Sequence, residues 1–210
     1  MIYWKTIRML LEANFIEGIK KLLSYHNIVS ISGESGIGKT TLAVQLAGTL
    51  LTYEHPFTDS CIWIQASEHF SRKRLTQIFQ GQNKKLEYLK NNIYVIPQKK
   101  PIHSYEQQVS IIEKIINPLV ITPPSLKYIV IDNISYHLRY KLTRCSNPKN
   151  ISALLNMFYE TQLLPLILFC KRNEMVLILI HEVTYSPKLQ KIRPFFYKLY
   201  DRINTIDLFL

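Results

Sequence analysis

The sequence predicts an α/β fold in which helices flank a central, mainly parallel β-sheet. Segments with the pattern of strands alternate with segments of helical spacing along the chain. The run Lys127–Asp132 is apolar enough for both of its faces to be buried, which is typical of a strand inside a parallel sheet. A glycine-rich loop at residues 33–40 connects one predicted strand directly to the next helix. Together these features favour a twisted parallel sheet covered by helices.

Each predicted element follows from its local pattern. The predicted helices have apolar side chains three or four residues apart, and they cover residues 4–23, Lys39–Leu51, Ser71–Phe79, Ser104–Ile116 and Asn150–Cys170. The predicted strands are short β-branched and apolar runs, and they cover Asn27–Ser32, Cys61–Ala66, Asn92–Ile96, Lys127–Asp132, Met175–Ile180 and Thr205–Leu210. We expect Ser71 to cap the third helix, Pro118 to close the fourth and Pro165 to interrupt the fifth.

The length suits one domain. A chain of 210 residues can bury one sizeable core, and no linker or internal repeat divides it. We therefore treat residues 1–210 as a single domain, with an N-terminal helical segment, residues 1–26, packed on it. The longest uncharged apolar stretches are too short to cross a bilayer, and no signal peptide opens the chain. We expect a cytoplasmic protein without a membrane partner.

The charge balance is strongly basic. Twenty-six Lys and Arg residues face 15 Asp and Glu residues, which gives a net charge of +11. Such a balance suggests a polyanionic partner, with nucleic acid as the first candidate and an anionic membrane as the second. The three cysteines and six histidines are scattered and show no metal-ligand spacing.

The glycine-rich loop carries the strongest chemical signal. The pattern GxxxxGK[ST] is met between a predicted strand and a predicted helix, where backbone N–H groups and the helix N-terminus can surround a phosphate. Lys39 would reach the β- and γ-phosphates of ATP, and the hydroxyl of Thr40 would bind Mg²⁺. The predicted nucleotide-binding residues are Gly33, Glu34, Ser35, Gly36, Ile37, Gly38, Lys39, Thr40 and Thr41.

An acidic residue ends the most apolar strand. Asp132 follows the run Lys127–Ile131, and a carboxylate at this place can bind the water shell of Mg²⁺. The sequence therefore predicts ATP and Mg²⁺ as cofactors, with Thr40 and Asp132 as the residues that hold the metal.

Four segments support a resemblance to a known family. They are SGESGIGKTTLAVQL at 32–46, IWIQASEHFSRKRLTQI at 62–78, SYEQQVSIIEKII at 104–116 together with Asp132-Asn133-Ile134, and LILIHEV at 177–183 with Arg193-Pro194 after it. In these segments the sequence resembles the RecA/RadA recombinases, in particular the small archaeal RadB-type paralogues. The resemblance implies a RecA-like P-loop NTPase domain.

The chain departs from that family at the residues of hydrolysis. Where the family has the glutamate that polarises water, this chain has Ser67, with Glu68 beside it. Successive strand residues point to opposite faces, so Glu68 could serve only if the backbone bends. The family's γ-phosphate-sensing glutamine corresponds to Glu182. The resemblance thus implies weak or absent ATP hydrolysis, at most a slow DNA-dependent ATPase, with catalytic candidates Lys39, Glu68, Asp132 and Glu182.

Two basic stretches correspond to the loops that touch DNA in RecA-like proteins. Residues 137–149 and 184–200 contain no acidic residue, and aromatic residues are interleaved in the second. Cations neutralise phosphates and aromatic rings stack on unpaired bases. The predicted DNA-binding residues are Arg139, Lys141, Arg144, Lys188, Lys191 and Arg193. The resemblance implies binding of single-stranded DNA in recombination and repair, alongside a recombinase as partner protein.

Two other functions stay open. A regulatory ATPase of the KaiC type would share the same core and act through protein contacts. A P-loop kinase would transfer the γ-phosphoryl group to a small molecule, with Arg72 and Arg74 over the nucleotide. The sequence leaves open whether ATP is hydrolysed, which protein partner is bound, and the oligomeric state.

Overall fold

The computed structural model describes residues 13–117, 122–186, 190–195 and 203–210. The strands of these residues are β1 Ile28–Ser32, β2 Ser60–Gln65, β3 Ile93–Ile96, β4 Leu126–Asp132, β5 Val176–His181, β6 Val183–Ser186, β7 Lys191–Pro194 and β8 Ile206–Phe209. The helices are α1 Ala13–Leu23, α2 Lys39–Leu51, α3 Arg72–Ile78, α4 Asn83–Asn92, α5 Tyr105–Ile116, α6 Tyr136–Leu142, α7 Pro148–Phe158 and α8 Leu164–Arg172.

Six strands form one parallel sheet in the order β3-β2-β4-β5-β1-β8. Residues of β1, β2 and β5 are all buried, which explains why these strands are apolar on both faces. Strands β6 and β7 form a separate antiparallel hairpin. The predicted α/β fold with a mainly parallel sheet and flanking helices is confirmed.

Side chains on the two faces of the sheet enter two separate apolar layers. Val29 and Trp63 pack with α1, α2, α3 and α4, whereas Ile28 and Ile62 pack with α5, α7 and α8. Neighbouring residues of one strand therefore serve opposite layers, as the two-residue period of a strand requires. The site described below lies at the edge where the parallel strands end.

Three segments differ from the prediction. Helix α4 was missed because its sequence is mostly polar, and only Leu86 and Leu89 pack against the core. The stretch 137–149, which corresponds to a loop in RecA-like proteins, begins instead within α6, which buries Leu138 and ends at Leu142. The stretch 184–200 corresponds to the second such loop, and its described residues form most of the β6–β7 hairpin. Residues 4–12 of the first predicted helix, and Pro118, lie outside the described residues.

Helices α7 and α8 are joined by a π-helical turn, Tyr159–Leu163. Proline has no N–H and crowds the preceding turn, so the irregular turn directly ahead of Pro165 accords with the predicted interruption. By length and composition alone, the continuous helical stretch 148–172 could cross a membrane. In the fold its buried residues, among them Phe158 and Leu166, pack on the sheet.

Candidate nucleotide-binding site

The glycine-rich loop leaves the carboxyl end of β1 and enters α2. Gly36 and Gly38 have φ angles of 79° and 110°, in the left-handed region that favours glycine. A Cβ atom built on Gly33 would lie 2.9 Å from both the Ile37 side chain and the carbonyl oxygen of Leu210. Each glycine of the motif is therefore required by the backbone path or by a close neighbour.

Lys39 is buried at the mouth of this loop. Its Nζ donates hydrogen bonds to the carbonyl oxygens of Gly33 at 2.9 Å and Glu34 at 2.7 Å. Burial lowers the pKa of Lys39, while nearby carboxylates, led by Glu182, act in the opposite direction. The ammonium group thus lies where the loop can present a phosphate to it.

Asp132 lies across from the start of α2. Asp132 is 5% exposed, and the Thr40 side chain lies close enough to act on its carboxylate. Burial raises the pKa of Asp132 to about 6, although Thr40, Arg74 and Lys39 favour the ionised form. A buried carboxylate of this kind gains from a cation, and a facing hydroxyl supplies a second oxygen ligand. These two residues fit the predicted Mg²⁺ site, and their role as ligands stays a prediction.

The chain bends directly after β2, at residues 66–68. The N–H groups of Ala66 and Ser67 both donate to the carbonyl oxygen of Asp132, at 2.6 and 3.1 Å. Glu68 lies close enough to act electrostatically on Asp132 and Lys39. The backbone bend that Glu68 needs to replace the usual glutamate is therefore present, and its part in hydrolysis stays a prediction.

Glu182 follows β5, which lies between β1 and β4 in the sheet. Its carboxylate forms an ion pair with Arg139 of α6. Its N–H donates to the Ser135 hydroxyl at 3.4 Å, and its carbonyl oxygen accepts a hydrogen bond from the Phe195 N–H at 2.8 Å. Glu182 thus connects Ser135, which directly precedes α6, and α6 itself to the base of the β6–β7 hairpin.

His181 precedes Glu182 and is paired in register with Ser32. The side chain is fully buried, and burial lowers the pKa of His181 to about 3. The imidazole is therefore neutral at physiological pH and does not balance the charge of Glu182. Arg139 supplies that balance instead.

The basic residues of the first predicted DNA-binding stretch are partly engaged within the chain. Arg139 pairs with Glu182, and Lys141 Nζ lies 2.6 Å from Glu106 Oε1. Arg144 donates to the Tyr140 hydroxyl at 2.5 Å and lies over its ring. Two of these three cations are thus neutralised by carboxylates of this protein, which lowers the positive charge that α6 offers to DNA.

The second predicted stretch is described only in part. Lys188, Phe196 and Tyr197 lie outside the described residues. Lys191 and Arg193 belong to β7, which pairs with β6. The guanidinium carbon of Arg139 lies 5.6 Å from the ring centre of Phe195, at the end of the hairpin. The two stretches meet there, and contact with DNA stays a prediction.

Two residues outside the predicted site act on it, and one of them, Arg74, was named above only for the kinase alternative. Arg74 acts electrostatically on Asp132 from α3. The Ser71 cap, which accepts a hydrogen bond from the Arg74 N–H at 3.1 Å, places Arg74 in the first turn of that helix, and this cap was the signal in the sequence. His137 Nε2 lies 2.9 Å from the Ala66 carbonyl oxygen and anchors α6 to the bend after β2. No local sequence pattern predicts the contact between His137 and Ala66.

Comparison with known protein families gives a match in the first half of the chain. The family model of the NB-ARC domain matches residues 12–116, which is half of the chain and includes the phosphate loop and the bend after β2. The match supports a P-loop NTPase that binds nucleotide, and it does not single out the RecA/RadA type. No curated protein matches the sequence.

Proposed function

Because the chain belongs to the NB-ARC family of P-loop NTPases, we propose that it binds ATP with Mg²⁺ at the loop 33–40 and hydrolyses it slowly. One observation carries the proposal. The ammonium of Lys39, which is hydrogen-bonded to the loop carbonyls, lies at the carboxyl edge of the sheet together with the neighbouring side chains of Thr40 and Asp132. These are the charge and the oxygen ligands that a Mg²⁺–triphosphate complex needs.

We propose slow hydrolysis because of the surroundings of Glu68, the candidate general base. Glu68 is exposed, and the described residues provide it with no ion-pair partner within 4 Å. A base that is not held in place by neighbours gives up part of the 10²- to 10⁴-fold that general-base catalysis typically contributes. Binding is therefore the main activity that this site supports, and a cytoplasmic location remains part of the proposal.

Calorimetric titration of the purified chain with a non-hydrolysable ATP analogue, with and without Mg²⁺, tests nucleotide binding. Lys39→Ala removes charged hydrogen bonds, so we expect about 10- to 100-fold weaker binding. Lys84→Ala is the matched control, because Lys84 is an exposed residue of α4 and its loss changes the net charge equally. Equal affinities of the two variants, or no binding by the wild type, would refute the proposal.

Single-stranded DNA is proposed as the partner, in a RadB-like role, on the basis of charge. The net charge of +11 and the meeting of the two basic stretches at Phe195 support it, whereas the ion pairs of Arg139 and Lys141 weaken it. Binding of a labelled single strand at several salt concentrations is the test. Affinity that falls steeply with salt supports the proposal, and affinity that is absent or independent of salt removes DNA from it.

A further inference from the structure

A cleft of about 490 Å³ lies at the edge of the sheet where the strands begin, and we call it the amino-edge cleft. It is bounded by the ends of α1, α2 and α8 and by the first residues of β4 and β5. Its lining residues fall within 20–27, 127–128 and 171–176, with Leu50 from α2. This volume lies in the range of about 300 to 1,000 Å³ that is typical of small-molecule sites.

The amino-edge cleft is separate from the candidate nucleotide site. Lys127 lines the cleft at the beginning of β4, whereas Asp132 ends the same strand. The five residues between them along the strand correspond to about 17 Å at the rise of an extended chain. Helix α2 likewise begins at the phosphate loop and reaches the cleft only with Leu50, near its last residue. The two sites thus lie at opposite edges of the sheet.

The inner wall of the cleft is apolar. Leu50, Tyr128, Met175 and Val176 line it, and all four residues are buried in the fold. Their packing in the core fixes the shape of this wall. An apolar or aromatic ligand body that covered the wall would remove its remaining surface from water, which is the main source of affinity in sites of this kind.

Two lysines of the cleft have no carboxylate partner among the described residues. No described carboxylate oxygen lies within 4 Å of the Nζ atoms of Lys127 and Lys171. Lys20 differs from them, because its Nζ lies 2.6 Å from a carboxylate oxygen of Glu54. Glu174 lines the cleft at an exposed position and pairs with neither lysine. Lys127 and Lys171 therefore leave the cleft with an excess of positive charge and with ammonium groups that can donate to a ligand.

His26 adds a buried nitrogen to the same cleft. The residue lines the cleft three positions after the end of α1. Its Nδ1 atom is buried, and the described residues offer it no hydrogen bond. Buried polar atoms are nearly always hydrogen-bonded, so an atom without a partner marks a place where a ligand can supply one.

We propose that the amino-edge cleft binds a small organic anion. The apolar or aromatic body of this ligand lies against Tyr128, Met175 and Val176, and its acidic group faces Lys127 and Lys171. Negatively charged oxygens accept strong hydrogen bonds from ammonium groups, and the apolar wall selects against inorganic anions, which have no body to cover it. This binding site goes beyond the nucleotide binding proposed for the loop 33–40.

The test uses two fluorescent probes that share an aromatic body and differ in charge, namely anilinonaphthalene sulfonate and the neutral phenylnaphthylamine. Titration of the full chain should show one saturable site for the anionic probe. Lys127→Gln combined with Lys171→Gln should weaken binding of the anionic probe at least about tenfold and change that of the neutral probe less than about twofold. Lys84→Gln combined with Lys90→Gln in α4 is the control, because it removes the same charge from another surface.

Selective loss of the anionic probe in the cleft variant, with the control equal to wild type, supports the proposal. Three results would overturn it: no saturable site in wild type, equal affinity of the cleft variant and the control for the anionic probe, or an equal loss of both probes. The last result would mean that the two lysines only maintain the shape of the cleft.

Nucleotide binding is distinguished by two further titrations. The cleft variant should bind the ATP analogue as wild type does, and Lys39→Ala should bind the anionic probe as wild type does. Loss of the anionic probe in Lys39→Ala would locate that probe at the phosphate loop, which overturns the cleft proposal while nucleotide binding stands. A wild type that binds the anionic probe and no ATP analogue would refute the proposed function and leave the cleft proposal in place.

Discussion

The side chain of Thr40, in the first turn of α2, lies close enough to the carboxylate of Asp132, at the end of β4, to favour its ionised form. The two residues come from parts of the chain about 90 positions apart, and β5 lies between their strands in the sheet. The contact therefore depends on the whole sheet being assembled. It brings the phosphate loop and the acidic strand end within reach of a single ion.

The Thr40–Asp132 contact predicts how Mg²⁺ affects binding. Thr40→Val keeps the shape of the side chain and removes its oxygen. We therefore expect the factor by which Mg²⁺ increases the affinity for the ATP analogue to be at least tenfold smaller in this variant than in wild type. The measurement is calorimetric titration with Mg²⁺ and with a chelator. Thr49→Val on the same helix is the control. An unchanged effect of Mg²⁺ in Thr40→Val would remove Thr40 from the metal site.

We expect substitution of alanine for glycine to change the free energy of unfolding in opposite directions at two positions. A Cβ on Gly48 of α2 would lie 2.5 Å from the ring of Phe79, so Gly48→Ala should lower the free energy of unfolding by about 1–3 kcal/mol. Gly18 in α1 has nothing within 4 Å, and Gly18→Ala should raise it by up to about 1 kcal/mol. Urea unfolding measures both. Effects of the same sign would contradict the packing of Phe79 on α2.

The buried imidazole of His181 predicts loss of stability in mild acid. Burial lowers the pKa of His181 from 6.5 to about 3, so below pH 6.5 the unfolded chain takes up a proton that the folded chain does not. The stabilising contribution is complete above pH 6.5 and falls by about 2 kcal/mol by about pH 5. His181→Gln should flatten this fall in urea unfolding at several pH values. His69→Gln, at an exposed position, should not.

The position of Glu68 leads to a prediction about the rate of ATP hydrolysis. If its carboxylate positions the attacking water, Glu68→Gln should lower the slow ATP turnover by about 100-fold while the affinity for an ATP analogue stays within a few-fold. The measurement is the rate of phosphate release at saturating ATP. Glu87→Gln in α4 is the control, because it removes the same charge. Turnover equal in the two variants would assign the base elsewhere.

The parts of the site that follow from local chemistry were visible in the sequence. The loop 33–40 and its flanking strand and helix were predicted at their observed places, because glycine spacing and apolar periodicity are local signals. The cap at Ser71 was predicted for the same reason and is confirmed. The bend at residues 66–68 could be stated only as a condition, since it depends on hydrogen bonds to Asp132, about 65 residues later in the chain.

The parts that depend on distant pairs were not visible. Arg139 was predicted to bind DNA because it lies in a basic stretch that corresponds to a DNA-contacting loop of RecA-like proteins, and this stays a prediction. Its ion pair with Glu182, 43 positions away, could not be read from the sequence. Helix α4 was missed because two apolar positions give too weak a period. In both cases the contacts that matter form only after the sheet has assembled, because they join residues that are far apart in the sequence.

The backbone of Leu210 lies against the start of the phosphate loop. Its N–H donates to the Ser32 carbonyl oxygen at 2.9 Å, and its own carbonyl faces Gly33. A fluorescent probe attached at residue 210 would therefore be close to an incoming triphosphate and could report occupancy directly. For the same reason, a bulky group attached at residue 210 would lie against the phosphate loop and should hinder nucleotide binding.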